Sequence, residues 1–262
     1  MQIILDQAFQ TERSVVALGM FDGVHIGHRV LLERAATLAK RHHAPLVVCT
    51  FQEHPLKVIA PDKCPPQLTT FEERCQLMES LGVDVLCAMP FSQETMDMPP
   101  EDYVGHLVRR FHPAAVVCGY NHTFGRKGEG TPALLEVLGG ALGFETSVVP
   151  NITLEGSEVS SSAIRRHIQQ GALAQARKLL ARPYACQAQL LSREGMYCRF
   201  RPTEAGKQVV PKGSYRVFCS DMNRAYPAVM QVAAAGEAVC ILPEKAPLGT
   251  EVCLQFWTER AL

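Results

Sequence analysis

Two histidines three positions apart, His25 and His28, stand in the run Gly19-Met20-Phe21-Asp22-Gly23-Val24-His25-Ile26-Gly27-His28. An apolar strand pattern over residues 15–19 precedes them, and a helical pattern over 29–41 follows. A glycine-containing junction from strand to helix lets a phosphate approach the backbone, while the unpaired N–H groups of the first helical turn face the anion. No lysine with P-loop spacing is present, so the site is not built to cradle β- and γ-phosphates in the Walker manner. Imidazoles suit the charge at an α-phosphate as pyrophosphate leaves. The plain alternative is a helix cap with two solvated imidazoles. The Asp22-Gly23 turn and the further glycine weigh toward a bound nucleotide, with Gly19, Phe21, Asp22, Gly23, His25 and His28 as candidate contacts.

Three other runs lie at comparable junctions. Thr50-Phe51-Gln52-Glu53-His54-Pro55 follows the second apolar strand, and the proline fixes an extended turn that would hold Phe51 and His54 at the mouth of a sheet. A plain loop with Phe51 in the core is the other reading. Gly119-Tyr120-Asn121-His122-Thr123-Phe124-Gly125-Arg126-Lys127-Gly128 follows the fourth strand, and its Asn121 offers a donor and an acceptor suited to ribose hydroxyls or phosphate. It also reads as a flexible basic loop. Val159-Ser160-Ser161-Ser162-Ala163-Ile164-Arg165 opens a helix. One serine is accounted for as a cap. Ser161, Ser162 and Arg165 then bring hydroxyls, free N–H groups and a guanidinium to one helix start, a site for β- and γ-phosphates.

The His-x-Gly-His core resembles the nucleotidylyltransferase superfamily, and the longer Phe-Asp-Gly-Val-His-x-Gly-His form resembles the FAD synthetase family. Those enzymes are commonly bifunctional riboflavin kinases and FMN adenylyltransferases. Thr50-Phe51-x-x-His54-Pro55, the glycine-rich run ending in Phe124-Gly125, and Val159-Ser160-Ser161-Ser162-x-Ile164-Arg165 resemble further stretches of that family, with Val159 for its isoleucine and Ser162 for its threonine. The resemblance covers residues 14–184. It implies His25, His28 and Arg165 as catalytic groups, and ATP contacts from Gly19, Phe21, Asp22, Gly23, Asn121, Ser161 and Ser162. It further implies a flavin site at Phe51, His54, Pro55 and Phe124, FMN as substrate, FAD as product, and Mg²⁺ arriving with ATP rather than in a protein metal cage.

The 262 residues, 47% hydrophobic and 20% charged, suit a soluble globule of one large domain, or one of about 180 residues plus a smaller one. Twenty-six basic residues balance twenty-six acidic ones, so no net field favours nucleic acid or a membrane surface. Ten cysteines without a Cys-x-x-Cys, several inside apolar runs, read as small buried residues of a reducing compartment. The start, Met1 to Asp6, has no secretory pattern, and no apolar run approaches the length of a span, which predicts a cytoplasmic protein without membrane contact. Oligomeric state is left open, a homo-oligomer included.

Strand patterns at 45–51, 84–91, 114–120 and 145–150 alternate with helical patterns at 71–81, 100–111, 132–142 and 161–170. Together with the first pair they predict an α/β fold with a doubly wound, Rossmann-like parallel sheet, whose ligands lie beyond the carboxyl ends of its strands. After Pro183 the texture becomes short β-prone runs at 185–191, 215–219, 228–232, 238–242 and 251–256, which predict a small β-barrel or sheet. The expected domains are therefore an adenylyltransferase domain over 1–182 and a shortened kinase-like β domain over 183–262. Arg182-Pro183-Tyr184, Pro211-Lys212-Gly213-Ser214-Tyr215 and Leu248-Gly249-Thr250-Glu251-Val252 are placed like parts of the family's kinase barrel. Its Gly-Phe-Pro-Thr-Ala-Asn stretch is absent, so riboflavin kinase activity is expected to be missing. The alternatives to FMN adenylyl transfer are another small-molecule nucleotidyl transfer, or a non-catalytic flavin- or nucleotide-binding protein.

Overall fold

The computed structural model describes residues 1–5, 8–221, 224–233, 237–243, 246 and 249–257. Asp6, in the N-terminal run, and Leu248, at the expected last hairpin, lie outside them. By its internal contacts the chain divides into two compact units, Met1–Cys64 with Phe71–Thr153, and Pro65–Thr70 with Leu154–Leu262.

The first unit is a sheet of parallel strands β1 (Gln2–Ile4), β2 (Ser14–Leu18), β3 (Leu46–Phe51), β4 (Val85–Met89), β5 (Pro113–Gly119) and β6 (Glu145–Val149), in the order β1-β4-β3-β2-β5-β6. Its helices are α1 (Ile26–His42), α2 (Leu56–Ile59), α3 (Phe71–Ser80), α4 (Gln93–Asp97), α5 (Pro100–Phe111) and α6 (Pro132–Leu142). Strand β2 is buried along its whole length, because Val15 and Ala17 pack with Leu31, Ala35 and Met78 of α1 and α3, while Val16 and Leu18 pack with Val104, Leu107 and Leu135 of α5 and α6. A strand covered on both faces reads as an unbroken apolar run, which is why the central strands were visible in sequence. The three-residue β1 was not expected; it is too short to show a pattern and gains its place by pairing with β4.

From β2 the chain steps through β3 to β4, then returns to place β5 against the other edge of β2. The connections diverge there, so a crevice opens beyond the carboxyl ends of β2 and β5. Both Gly19 and Gly119 stand at those ends.

Strands β7 (Thr153–Leu154) and β8 (Ser157–Glu158) form a two-stranded ladder around Glu155 and Gly156, both with positive φ, the backbone of a tight hairpin. Helices α7 (Ser161–Gln169) and α8 (Leu173–Leu180) follow. Then β9 (Tyr184–Glu194), β10 (Tyr197–Pro202), β11 (Gly213–Ser220), β12 (Ala225–Val232), β13 (Ala238–Ile241) and β14 (Glu251–Phe256) close an antiparallel barrel in the order β10-β13-β12-β11-β14-β9. Closure leaves no open sheet edge. Strand β10 was not anticipated: its period-two pattern, Cys198 and Phe200 inward, is interleaved with Tyr197, Arg199 and Arg201 outward. All ten cysteines are thiols rather than disulfides, buried or half-buried. Among the described residues no helix is long and apolar enough to cross a membrane.

Candidate active site

The turn from β2 into α1 is strained. Phe21 and Val24 have φ of 54° and 38°, with Gly23 at 81° between them. A left-handed backbone at an aromatic and a β-branched residue costs on the order of 1–3 kcal/mol each. Both side chains are fully buried in the core beneath α1. Burial of a large apolar side chain contributes about 1.5–3 kcal/mol, enough to hold each in place. Phe21 thus faces inward, its ring 3.1 Å from where a Cβ on Gly19 would stand and edge-on to His28 at 5.2 Å. It shapes the floor of the turn.

His25 is the N-cap of α1, its Nδ1 accepting from the His28 backbone N–H at 3.3 Å. This satisfies one orphan donor of the first turn and fixes the ring. The two imidazoles stack with centroids 3.6 Å apart and planes 15° from parallel. Burial, then the neighbouring His25 and the Arg74 guanidinium, hold the His28 pKa well below the usual histidine range. Among the protein's own groups His28 is therefore neutral at pH 7. A phosphate beside it acts with the opposite sign and draws a proton onto the ring. Nδ1 of His28 is buried without a hydrogen-bond partner among the described residues.

A cavity of about 400 Å³ opens at the divergence of the strands. Gly19, Met20 and His28 wall it from the first junction, Thr50, Phe51, His54 and Pro55 from the end of β3, and Asn121 and His122 from the loop after β5. Of the residues singled out by sequence, Gly19, His28, Phe51, His54, Pro55 and Asn121 thus share one cavity. Asp22, Gly23 and His25 build the turn behind it; Asp22 and His25 are buried. Phe51 meets Phe91 edge-on at 5.2 Å. His54 Nδ1 accepts from the Leu56 N–H at 3.1 Å, which starts the short α2 and holds the ring. Phe124 is buried between Tyr103 and His122, at 5.4 and 5.9 Å, and forms no part of the cavity wall. A Cβ on Gly130 would stand 2.4 Å from the Phe124 ring, so only glycine fits there.

Two residues around this cavity went unnoticed in sequence. Arg74, on the buried face of α3, donates to the Met20 carbonyl at 2.7 Å and the Gln52 carbonyl at 2.9 Å, tying together the loops that follow β2 and β3. Its signal was a cation inside an apolar stripe, Phe71, Arg74, Cys75 and Met78. His122 on the cavity wall has its pKa lowered to about 4 by burial.

In the second unit, Ser160 is the N-cap of α7, its Oγ accepting from the Ala163 N–H at 3.2 Å. Ser161 and Ser162 occupy the first turn. Arg165 is buried, its Nε donating to the Pro66 carbonyl at 2.7 Å. Among the described residues no group of three or more His, Cys, Asp or Glu side chains could hold a metal ion. In the barrel, Glu204 pairs with the buried Lys207 at 3.4 Å, beside an interior cavity of about 30 Å³, room for roughly one water.

A doubly wound parallel sheet with His25 capping the first helix at the strand divergence defines a Rossmann-like α/β domain. The FAD synthetase profile matches residues 7–163, and the chain belongs to the FAD synthetase family. Similar proteins include the bifunctional riboflavin kinase/FMN adenylyltransferases of Listeria monocytogenes, 34% identical over 65% of this chain and 54% of that one, and of Bacillus subtilis, 33% identical over 66% and 54%. That of Escherichia coli is 31% identical over 69% and 58%. The chain spans a little over half the length of these curated relatives. A crystal structure described as a macrolide-efflux protein from Streptococcus pneumoniae superposes with a TM-score of 0.89, over 100% of this chain and 91% of that one, at 23% identity. That likeness concerns the fold alone.

Proposed function

We propose that this chain is an FMN adenylyltransferase, joining the AMP of ATP to FMN to give FAD and pyrophosphate. The observation that carries this reading is the stacked His25–His28 pair, with His28 on the wall of the cavity at the β2/β5 divergence. A phosphate oxygen of FMN attacks the α-phosphorus in line, the bond from that phosphorus to the bridging oxygen breaks, and pyrophosphate leaves with the electron pair. Such a step rests on positioning and charge stabilisation. His28 meets the α-phosphate, whose negative charge favours the protonated ring, the proton coming from solvent; His25 orients it from the cap. Asn121 contacts the nucleotide, and Ser161, Ser162 and Arg165 hold the outer phosphates. Phe51, His54 and Pro55 wall the flavin end, with Phe124 packed behind the loop. Mg²⁺ enters as part of the Mg–ATP substrate, held by the phosphates, a role suited to a site without a carboxylate cage.

The adenylyltransferase function is assigned to residues 1–182, and residues 183–262 are read as a shortened kinase-like β domain without kinase activity. The absence of the Pro-Thr-Ala-Asn run, and the engagement of Glu204 with Lys207, support this. The cysteine pattern favours the cytoplasm. Incubation of the protein with FMN, ATP and Mg²⁺, with flavins resolved by chromatography, tests the reading: FAD and pyrophosphate in equal amounts are expected, and no FAD above a protein-free control overturns it.

A further inference from the structure

Residues Pro65–Thr70 belong by their contacts to the second unit, far in sequence from its remainder. Leu68 and Thr69 are buried. This strap is gripped from two sides. Gln67 lies parallel to Lys207 as an isolated bridge, its N–H donating to the Gly206 carbonyl and its carbonyl accepting from the Gln208 N–H, both at 2.7 Å. The Gln208 carbonyl in turn accepts from the Tyr184 hydroxyl on β9. One residue before Gln67, the Pro66 carbonyl accepts from Arg165 Nε at 2.7 Å. Arg165, Lys207 and Gln208 are all at least nine-tenths buried. An unbroken hydrogen-bonded path thus runs from the barrel wall through the loop at 204–208 and the strap to the arginine of α7.

We propose that the barrel is a positioning element for adenylyl transfer: through Gly206, Gln208 and the strap it sets the direction of the Arg165 guanidinium. This rests on the phosphate-binding role proposed for Arg165. A guanidinium is a rigid planar fork, so the carbonyl that holds Nε fixes the plane in which its remaining nitrogens point. Proline at 66 strengthens the device, since its locked φ limits how far the carbonyl can swing. The barrel, without a kinase motif, then has a use in the other reaction.

A double-mutant cycle on the full chain tests this. Tyr184→Phe removes the hydroxyl that holds the Gln208 carbonyl and keeps the ring. Gly206→Ala strains a backbone with φ of 82° where an added Cβ meets open space, so it acts through the peptide that receives Gln67. Each is made with Arg165 and with Arg165→Ala, folding is checked by melting, and two quantities are read: the Kd for a non-hydrolysable ATP analogue by calorimetry, and KM and kcat for FAD formation. With Arg165 present, either variant is expected to weaken nucleotide by about three- to tenfold, the weight of one neutral hydrogen bond, with the Kd for FMN unchanged. With Arg165→Ala the same variants are expected to add nothing further. Equal losses in both backgrounds, no loss in either, or a parallel loss of FMN binding overturn the inference. Wild-type protein that binds the analogue and FMN yet makes no FAD contradicts the proposed reaction instead, and the cycle on Kd still decides the role of the strap.

Discussion

At the scale of single residues, the environment of an imidazole decides its chemistry more than its identity does. His28 is neutral among the protein's groups because burial, then the neighbouring His25 and Arg74, oppose a charge on its ring. His28→Ala is expected to lower the rate of FAD formation by about 10²–10³-fold, as loss of one preorganised donor does, with the melting temperature little changed. A rate within threefold of wild type would remove His28 from the mechanism. His122, with its pKa lowered to about 4, makes a prediction about stability. The unfolded chain takes up this proton near pH 6.5, the folded chain only near pH 4, so the unfolded state binds more protons between those values. Stability is then full above about pH 6.5 and is lost as pH falls toward 4. Replacement by phenylalanine removes that loss, and the difference in unfolding free energy between His122→Phe and wild type should shift in favour of the variant by up to about 3 kcal/mol between pH 7 and pH 4. Denaturant titrations at the two pH values measure it; a constant difference would contradict the burial of this ring.

At the scale of elements, a helix packed against the sheet fixes the distance between two loops. Arg74 on α3 reaches the Met20 and Gln52 carbonyls, and Thr50 Oγ1 adds a bond to the Met20 carbonyl at 3.3 Å. The strained turn at Phe21 and Val24 is therefore held from below by core packing and from the side by a charged fork. A lysine at position 74 carries the charge but cannot span both carbonyls. Arg74→Lys is expected to cost roughly 2 kcal/mol in urea unfolding and to lower kcat about tenfold, because the histidine cap loses its lateral support. Wild-type stability together with wild-type kcat would show that the fork is dispensable.

At the scale of the whole molecule, the two units present different chemistry. The first carries the cavity at the strand divergence. The second carries α7, α8 and a closed barrel whose interior leaves room for about one water, and there Glu204 is already paired with Lys207. Riboflavin with ATP and Mg²⁺ is expected to yield no FMN above a protein-free control; accumulation at a rate comparable with FAD formation would show that the barrel phosphorylates flavin by a route other than the missing Pro-Thr-Ala-Asn run.

Local order is where the sequence by itself was sufficient. Buried parallel strands are continuous apolar runs, helix starts carry caps such as His25, Thr131 and Ser160, and glycines mark the junctions, so β2 to β6 and the long helices were legible within a few residues. The position of Gly19, Phe51 and Asn121 at strand ends was legible for the same reason. Only the tertiary structure decided which ends face one cavity, because strand order, with β5 placed beside β2, is set by contacts among residues a hundred positions apart. It alone turned Phe21 inward and stacked Phe124 behind its loop, since side-chain direction follows the backbone φ and the packing around it. It alone joined the segment at 65–70 to the barrel, and it brought Arg74 beneath the turn from β2 into α1. Periodicity is a property of neighbours along the chain, whereas desolvation, charge and hydrogen bonding at a site belong to neighbours in space.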